Sequence, residues 1–205
     1  MCIRDRDFTD RGEGLRNTTS LLGRGGTAMG PLHWTANFDE VQDFEHDIRG
    51  AFGGSGFLSE ADWTSGTVGT TLGDAKAGRS AELDALAAYV SSLDSTPAAP
   101  IRGDGDGAAM FVDLGCPSCH VPPLYTDSPA GVRHDVGTLG AGSGQRLGAT
   151  LDGIDTPTLL GVWQAGPWLH DGSATTLAEA IGAHDSAAGL SANELDAIAD
   201  YVKSL

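Results

Sequence analysis

The 205-residue chain carries 28 acidic against 12 basic side chains, a formal net charge of −16. That balance excludes nucleic acid and anionic membrane surfaces as partners, because both are gripped by Lys/Arg clusters, whereas a basic protein partner or plain solubility would suit it. With 40% hydrophobic residues, 30 glycines and 9 prolines the composition fits a loop-rich fold with a core, room for one large or two small domains, and no apolar run of the ~18 residues that span a bilayer.

The opening Met1-Cys2-Ile3-Arg4-Asp5 reads as the translated end of a sequencing-library adaptor, so residues 1–6 are expected to be non-native and the native chain to begin upstream. Asn17-Thr-Thr-Ser-Leu-Leu-Gly23 and Gly30-Pro31-Leu32-His33 follow, then Asp39-Glu-Val-Gln-Asp-Phe-Glu-His46. A Gly-rich stretch from 50 to about 78 reads as an ordered excursion over the surface. Between 80 and 93 the apolar residues Leu83, Leu86, Ala87, Val90 and Leu93 fall at i, i+3, i+4, i+7 and i+10, which predicts an amphipathic helix with Ser80 as its N-cap. Pro97-Ala-Ala-Pro100 is a stiff linker. Asp104-Gly-Asp-Gly107 is a turn that lacks most ligands of a calcium loop, and residues 108–114 predict a short helix. Residues 121–156 show no period and read as loops, residues 191–205 predict a second amphipathic helix opened by a Ser191/Glu194 capping box, and strand signals are scarce throughout.

These pieces form an internal repeat. Leu195, Ile198, Ala199, Val202 and Leu205 reproduce the spacing of the earlier helix. Asp155-Thr-Pro-Thr-Leu-Leu-Gly161 matches the stretch ending at Gly23, and Gly166-Pro167-Trp168-Leu169-His170 matches the Gly-Pro stretch ending at His33. His46 and His184 each precede a terminal helix. The expected architecture is therefore mainly α and loop-rich, with two related units at 7–97 and 98–205, the first truncated at its N-terminus.

Between the repeats stands Cys116-Pro117-Ser118-Cys119-His120. Two thiols at i and i+3 with an imidazole immediately after are the pattern by which haem c is attached, each sulfur adding to a vinyl group and the histidine binding iron. A zinc site would need a second ligand pair, which only scattered histidines could supply. A dithiol redox centre would need a preceding strand in an α/β pattern. With His120 proximal, Met110 lies on the same helix as the motif and Met29 in the other unit, so the distal ligand is expected to be a histidine. His184, just before the closing helix, is the first choice, with His134 and His170 as alternatives. His170 is expected to serve as a hydrogen-bonding group near a haem propionate and His134 to be held by Asp135. Trp34 is a candidate electron path, against a core-filling role; Gln42 and Glu45 are candidates for proton handling, against a solvated helix face.

With these residues in hand the chain resembles the di-haem cytochrome c peroxidase family, which includes the MauG-like enzymes. The matching text is Gly115-Cys-Pro-Ser-Cys-His120, His134-Asp-Val-Gly-Thr138, Thr156-Pro-Thr-Leu-Leu-Gly161, Gly166-Pro-Trp-Leu-His-Asp-Gly-Ser173 with Thr176-Leu177, and in the first half Asn17-Thr-Thr-Ser-Leu21 and His33-Trp34. The resemblance implies tandem cytochrome c domains. In it, a C-terminal haem on Cys116, Cys119 and His120 takes electrons from a small donor protein, and an N-terminal haem reduces hydrogen peroxide. It implies His184 at the distal position, where the family commonly has methionine, Trp34 between the haems, Gln42 and Glu45 near the peroxide pocket, and a calcium ion near Asn17 and Thr156. No first-unit Cys-x-x-Cys-His is present. Because covalent haem attachment takes place outside the bacterial cytoplasm, the expected location is the periplasm or another extracytoplasmic space.

Overall fold

The computed structural model describes residues 5–7, 12–103, 105–164 and 166–205. Cys2 and Asp104 lie outside the described residues. The expected mainly-α, loop-rich architecture is observed. Six helices are described: α1 Phe44–Arg49, α2 Glu60–Trp63, α3 Ala81–Ser91, α4 Gly105–Asp113, α5 Leu177–Gly182 and α6 Ala192–Lys203. The strands are two- or three-residue pieces in antiparallel pairs: β1 Asp5–Asp7 with β2 Leu15–Asn17, β3 Arg133–His134 with β6 Ile154–Asp155, and β4 Gln145–Arg146 with β5 Ala149–Thr150.

Helices α3 and α6 form where the apolar spacing placed them. Ser80 Oγ accepts the Leu83 amide, and the Ser191/Glu194 box closes reciprocally, so one amide at the start of α3 and two at the start of α6 find side-chain acceptors. Each buries a stripe, Leu83, Ala87 and Val90 on α3 and Ile198, Ala199 and Val202 on α6. Helix α4 packs on α6, as does α5. The approach is close enough that a Cβ on Gly107 would collide with the Ala197 carbonyl, so this crossing requires glycine. Phe111 and Leu177 join the α6 stripe to make the core of the C-terminal half.

The excursion after α1 is ordered but is more than a surface loop. It lays Leu58 and Val68 against Leu83, so part of the N-terminal core comes from this segment. Two buried charges pin it. Glu45 accepts from Arg49 Nε at 2.8 Å and from the amides of Phe57 (2.9 Å) and Leu58 (3.0 Å). Lys76 Nζ, 1% exposed, lies 2.6 Å from Asp43 Oδ1, 0% exposed.

The repeat is visible in the backbone and corrects the alignment of its histidines. Bridges Leu32 to Phe38 and Trp168 to Ala174 are related by one offset, 136 residues, and His33 (φ 68) and Leu169 (φ 69) share the left-handed region at that offset. The counterpart of His33 is therefore Leu169, and that of His170 is Trp34. The two copies also exchange matching hydrogen bonds: Asn17 N donates to His170 O at 2.7 Å, and Asp155 N donates to Trp34 O at 2.8 Å. Gly23 and Gly161 both close against Thr96, in the segment just before the linker.

Candidate cofactor site

Gly115, left-handed at φ 75, ends the turn after α4 and starts the 3-10 turn Cys116–Ser118, and His120 N closes it onto Cys116 O at 2.9 Å. Both thiols are free and half-buried. Burial pushes the Cys116 thiol above its ordinary value.

Cys116, Cys119, His120 and His184 all line one cavity of about 370 Å³, whose apolar wall includes Leu177, Ile198 and Val202. His120 Nδ1 lies 3.1 Å from Tyr125 O, and His184 Nδ1 lies 2.9 Å from Ala180 O. A backbone carbonyl at Nδ1 draws the proton to that nitrogen and leaves Nε2 to a metal, and the His120 ring meets a second carbonyl, that of Pro157. Burial first, with the charge of His184 adding to it, pushes the His120 ring down to about 4. The ring is only half-buried by area because it borders the cavity, but it is neutral at any pH near 7. Two free thiols at the right spacing, two neutral-capable imidazoles and an apolar chamber form a donor set that fits a c-type haem.

His134 and His170 line the same cavity but are bonded to other side chains. His170 is 2% exposed, and its Nε2 pairs with Ser143 Oγ at 2.8 Å, in keeping with a hydrogen-bonding role. His134 is held by Asp127 (Nε2 to Oδ2, 2.6 Å), not by Asp135, whose carboxylate instead accepts the Gly137 amide. The reason is local: neighbouring residues of an extended segment point to opposite faces. Cys119, Asp127 and His134 place one ligand atom each within 4.8 Å of one another, the group that a zinc reading would use.

Trp34 lines the cavity and donates its indole N–H to Asn17 O at 2.7 Å. Asn17 and Thr156 also border it. Asn17 Nδ2 donates to the carbonyls of Pro167 (2.6 Å) and Leu169 (3.2 Å). Of the oxygens that calcium would use, Asn17 O accepts from the Trp34 indole and Thr156 O from Thr126 Oγ1 (2.6 Å). Gln42 and Glu45 do not reach the cavity. Gln42 Nε2 donates to Asp84 Oδ1 at 2.9 Å, and Glu45 is the anchor of the excursion described above. Both side chains are thus engaged in hydrogen bonds within the N-terminal half.

Two wall residues were missed by sequence reasoning. Asp155 is 8% exposed; burial pushes its carboxyl up to about 7 despite the hydrogen bond from Ser128 Oγ (2.8 Å). Arg24 reaches the cavity from the N-terminal half. The repeat aligned Asp155 with Asn17, but nothing in either stretch announced that both would border a chamber built mainly by the C-terminal half.

No protein-family model and no curated protein matches the chain. Among solved structures it is similar to hydrazine synthase of Kuenenia stuttgartiensis, solved under 20 bar of xenon, with 21% identity over 94% of this chain and 73% of that chain and a TM-score of 0.55. At that identity the likeness concerns the fold alone.

Proposed function

We propose that this chain carries haem c, bound by thioethers from Cys116 and Cys119 with His120 and His184 as axial ligands, in a protein of the di-haem cytochrome c peroxidase or MauG-like type. Residues 7–97 and 98–205 are then two cytochrome c-like units, the second taking electrons from a small donor protein and the first reducing hydrogen peroxide at a second haem. The observation that carries the reading is the convergence of both thiols and both carbonyl-tethered imidazoles on one apolar cavity. When bound, the haem supplies one-electron chemistry at potentials set by its ligands, and two imidazoles favour a lower value than a methionine ligand would. The chain's own groups hold the rings in the ligating tautomer and exclude water from the chamber. Trp34, on the cavity wall and fixed by Asn17, is the route toward the N-terminal half. A net charge of −16 suits a basic donor, and covalent haem attachment implies the periplasm or another extracytoplasmic space. Calcium beside Asn17 and Thr156 belongs to the same reading.

A second reading, a bis-histidine electron carrier without peroxidase chemistry, is favoured by one observation: Gln42 and Glu45 are committed to structure. Expression of the full-length protein with c-type haem maturation tests both. A haem spectrum surviving denaturation and acid extraction, together with peroxide-dependent oxidation of a reduced carrier protein, supports the enzyme. Covalent haem without turnover supports the carrier, and absence of covalent haem sinks both.

A further inference from the structure

The cavity wall contains two thiols, four histidines and a broad apolar surface, but among the described residues only one Lys or Arg, Arg24. Its guanidinium has five N–H donors. Nε donates to Ser20 O at 3.3 Å, and among the described residues no carboxylate oxygen lies within 4.0 Å of the group. The nearby Asp155 spends Oδ2 on Ser128 Oγ and leaves Oδ1 without a hydrogen-bond partner, so its charge reaches Arg24 only across a gap. Burial lowers the Arg24 pKa from its ordinary value, with the charge of Asp155 opposing, so the cation is partly stripped of water without a close counter-ion. A desolvated guanidinium in that state is stabilised by a planar two-oxygen anion, which its fork matches in a bidentate manner. Ser20 and Asp155 are polar neighbours of Arg24, but the cavity it borders is walled mainly by apolar side chains, so the anion that fits is a carboxylate carried on an apolar body rather than a free inorganic ion.

We propose that Arg24, contributed by the N-terminal half, receives a carboxylate of the group that fills the C-terminal cavity. On the haem reading above, on which this rests, that carboxylate is a propionate. Arg24 then has two effects: it holds the propionate ionised, and it ties the redox behaviour of the C-terminal site to the placement of the N-terminal half. It acts as a positioning and charge-setting residue.

The test uses the full-length, haem-matured protein with Arg24→Gln and Arg24→Lys. Covalent haem is read from the spectrum of the denatured protein, and the reduction potential is followed against pH by spectroelectrochemistry. With the cation gone the propionate takes up a proton more readily. In Arg24→Gln the pH at which the potential starts to fall should therefore move upward, and Arg24→Lys should return it toward wild type. Full haem content with a wild-type pH profile in Arg24→Gln would overturn the proposal. If Arg24→Gln takes up no haem, the Lys variant decides: normal haem and profile support a charge role, and loss of haem there too refutes it. A wild-type protein without covalent haem is a separate outcome that removes the reading beneath the proposal and the proposal with it.

Discussion

Replacing Lys76 with methionine keeps the length of the side chain and removes its charge. Lys76 is 1% exposed, and its ammonium stands 2.6 Å from Asp43 Oδ1 and 3.9 Å from Glu40 Oε1. Asp43, 0% exposed, would be left with the Asp39 amide at 3.0 Å and the Asp39 carboxyl, itself an acid, as partners. Removing one partner of a buried pair leaves an uncompensated charge and costs about 3–5 kcal/mol. For a chain of this size each kcal/mol lowers Tm by roughly 2–4 °C, so a fall of about 6–20 °C is expected. Urea denaturation followed by circular dichroism should show a lower midpoint at unchanged slope. Asp43→Asn alone should also destabilise, while the double variant Lys76→Met/Asp43→Asn should recover most of the loss because no lone charge remains. A single-variant cost under about 1 kcal/mol, or strict additivity in the double variant, would refute the assignment of this pair as the pin of the excursion.

Three further outcomes are expected. His184→Met should raise the reduction potential and shift the low-spin spectrum, and an unchanged spectrum would place the distal ligand elsewhere. Asp155, pushed up to about 7 from its ordinary 3.8, is protonated in the folded state where the unfolded chain has already lost the proton. Its contribution is present below pH 3.8 and is lost as pH rises through about 7. Asp155→Asn should thus gain stability relative to wild type across that window, each pH unit of displacement being worth about 1.4 kcal/mol, and parallel stability–pH curves would contradict the burial argument. Glu45→Ala should free residues 50–58 to limited proteolysis while haem content stays unchanged; a protease-resistant variant would mean that Arg49 and the Phe57 and Leu58 amides are held by something else.

Much of the frame could be read from the residues. Helices α3 and α6 lie where a 3.6-residue stripe and a Ser cap demanded them, and the Cys-x-x-Cys-His turn lines one cavity with all three histidines weighed as its partner, His134, His170 and His184. Local signals of that kind survive folding because they involve neighbours in sequence. Pairings across the chain do not have such a signature. Asp127 lies seven residues from His134 and displaces the adjacent Asp135 as its partner. Glu45 looked like an exposed helix residue until a segment with no period folded over it. Matching histidine to histidine in the repeat slipped by one position, because identity of side chain was compared where the backbone, through its bridges and left-handed residues, was what had been duplicated.

The pair of exchanged hydrogen bonds, Asn17 to His170 and Asp155 to Trp34, has a consequence for dissection of the chain. The two bonds run in opposite directions between the halves of the chain, so each half both gives and receives a main-chain bond. Cleavage in Pro97-Ala-Ala-Pro100 should accordingly yield a nicked heterodimer that stays associated. Residues 98–205 produced by themselves would form an open cup without the wall that Asn17, Arg24 and Trp34 supply.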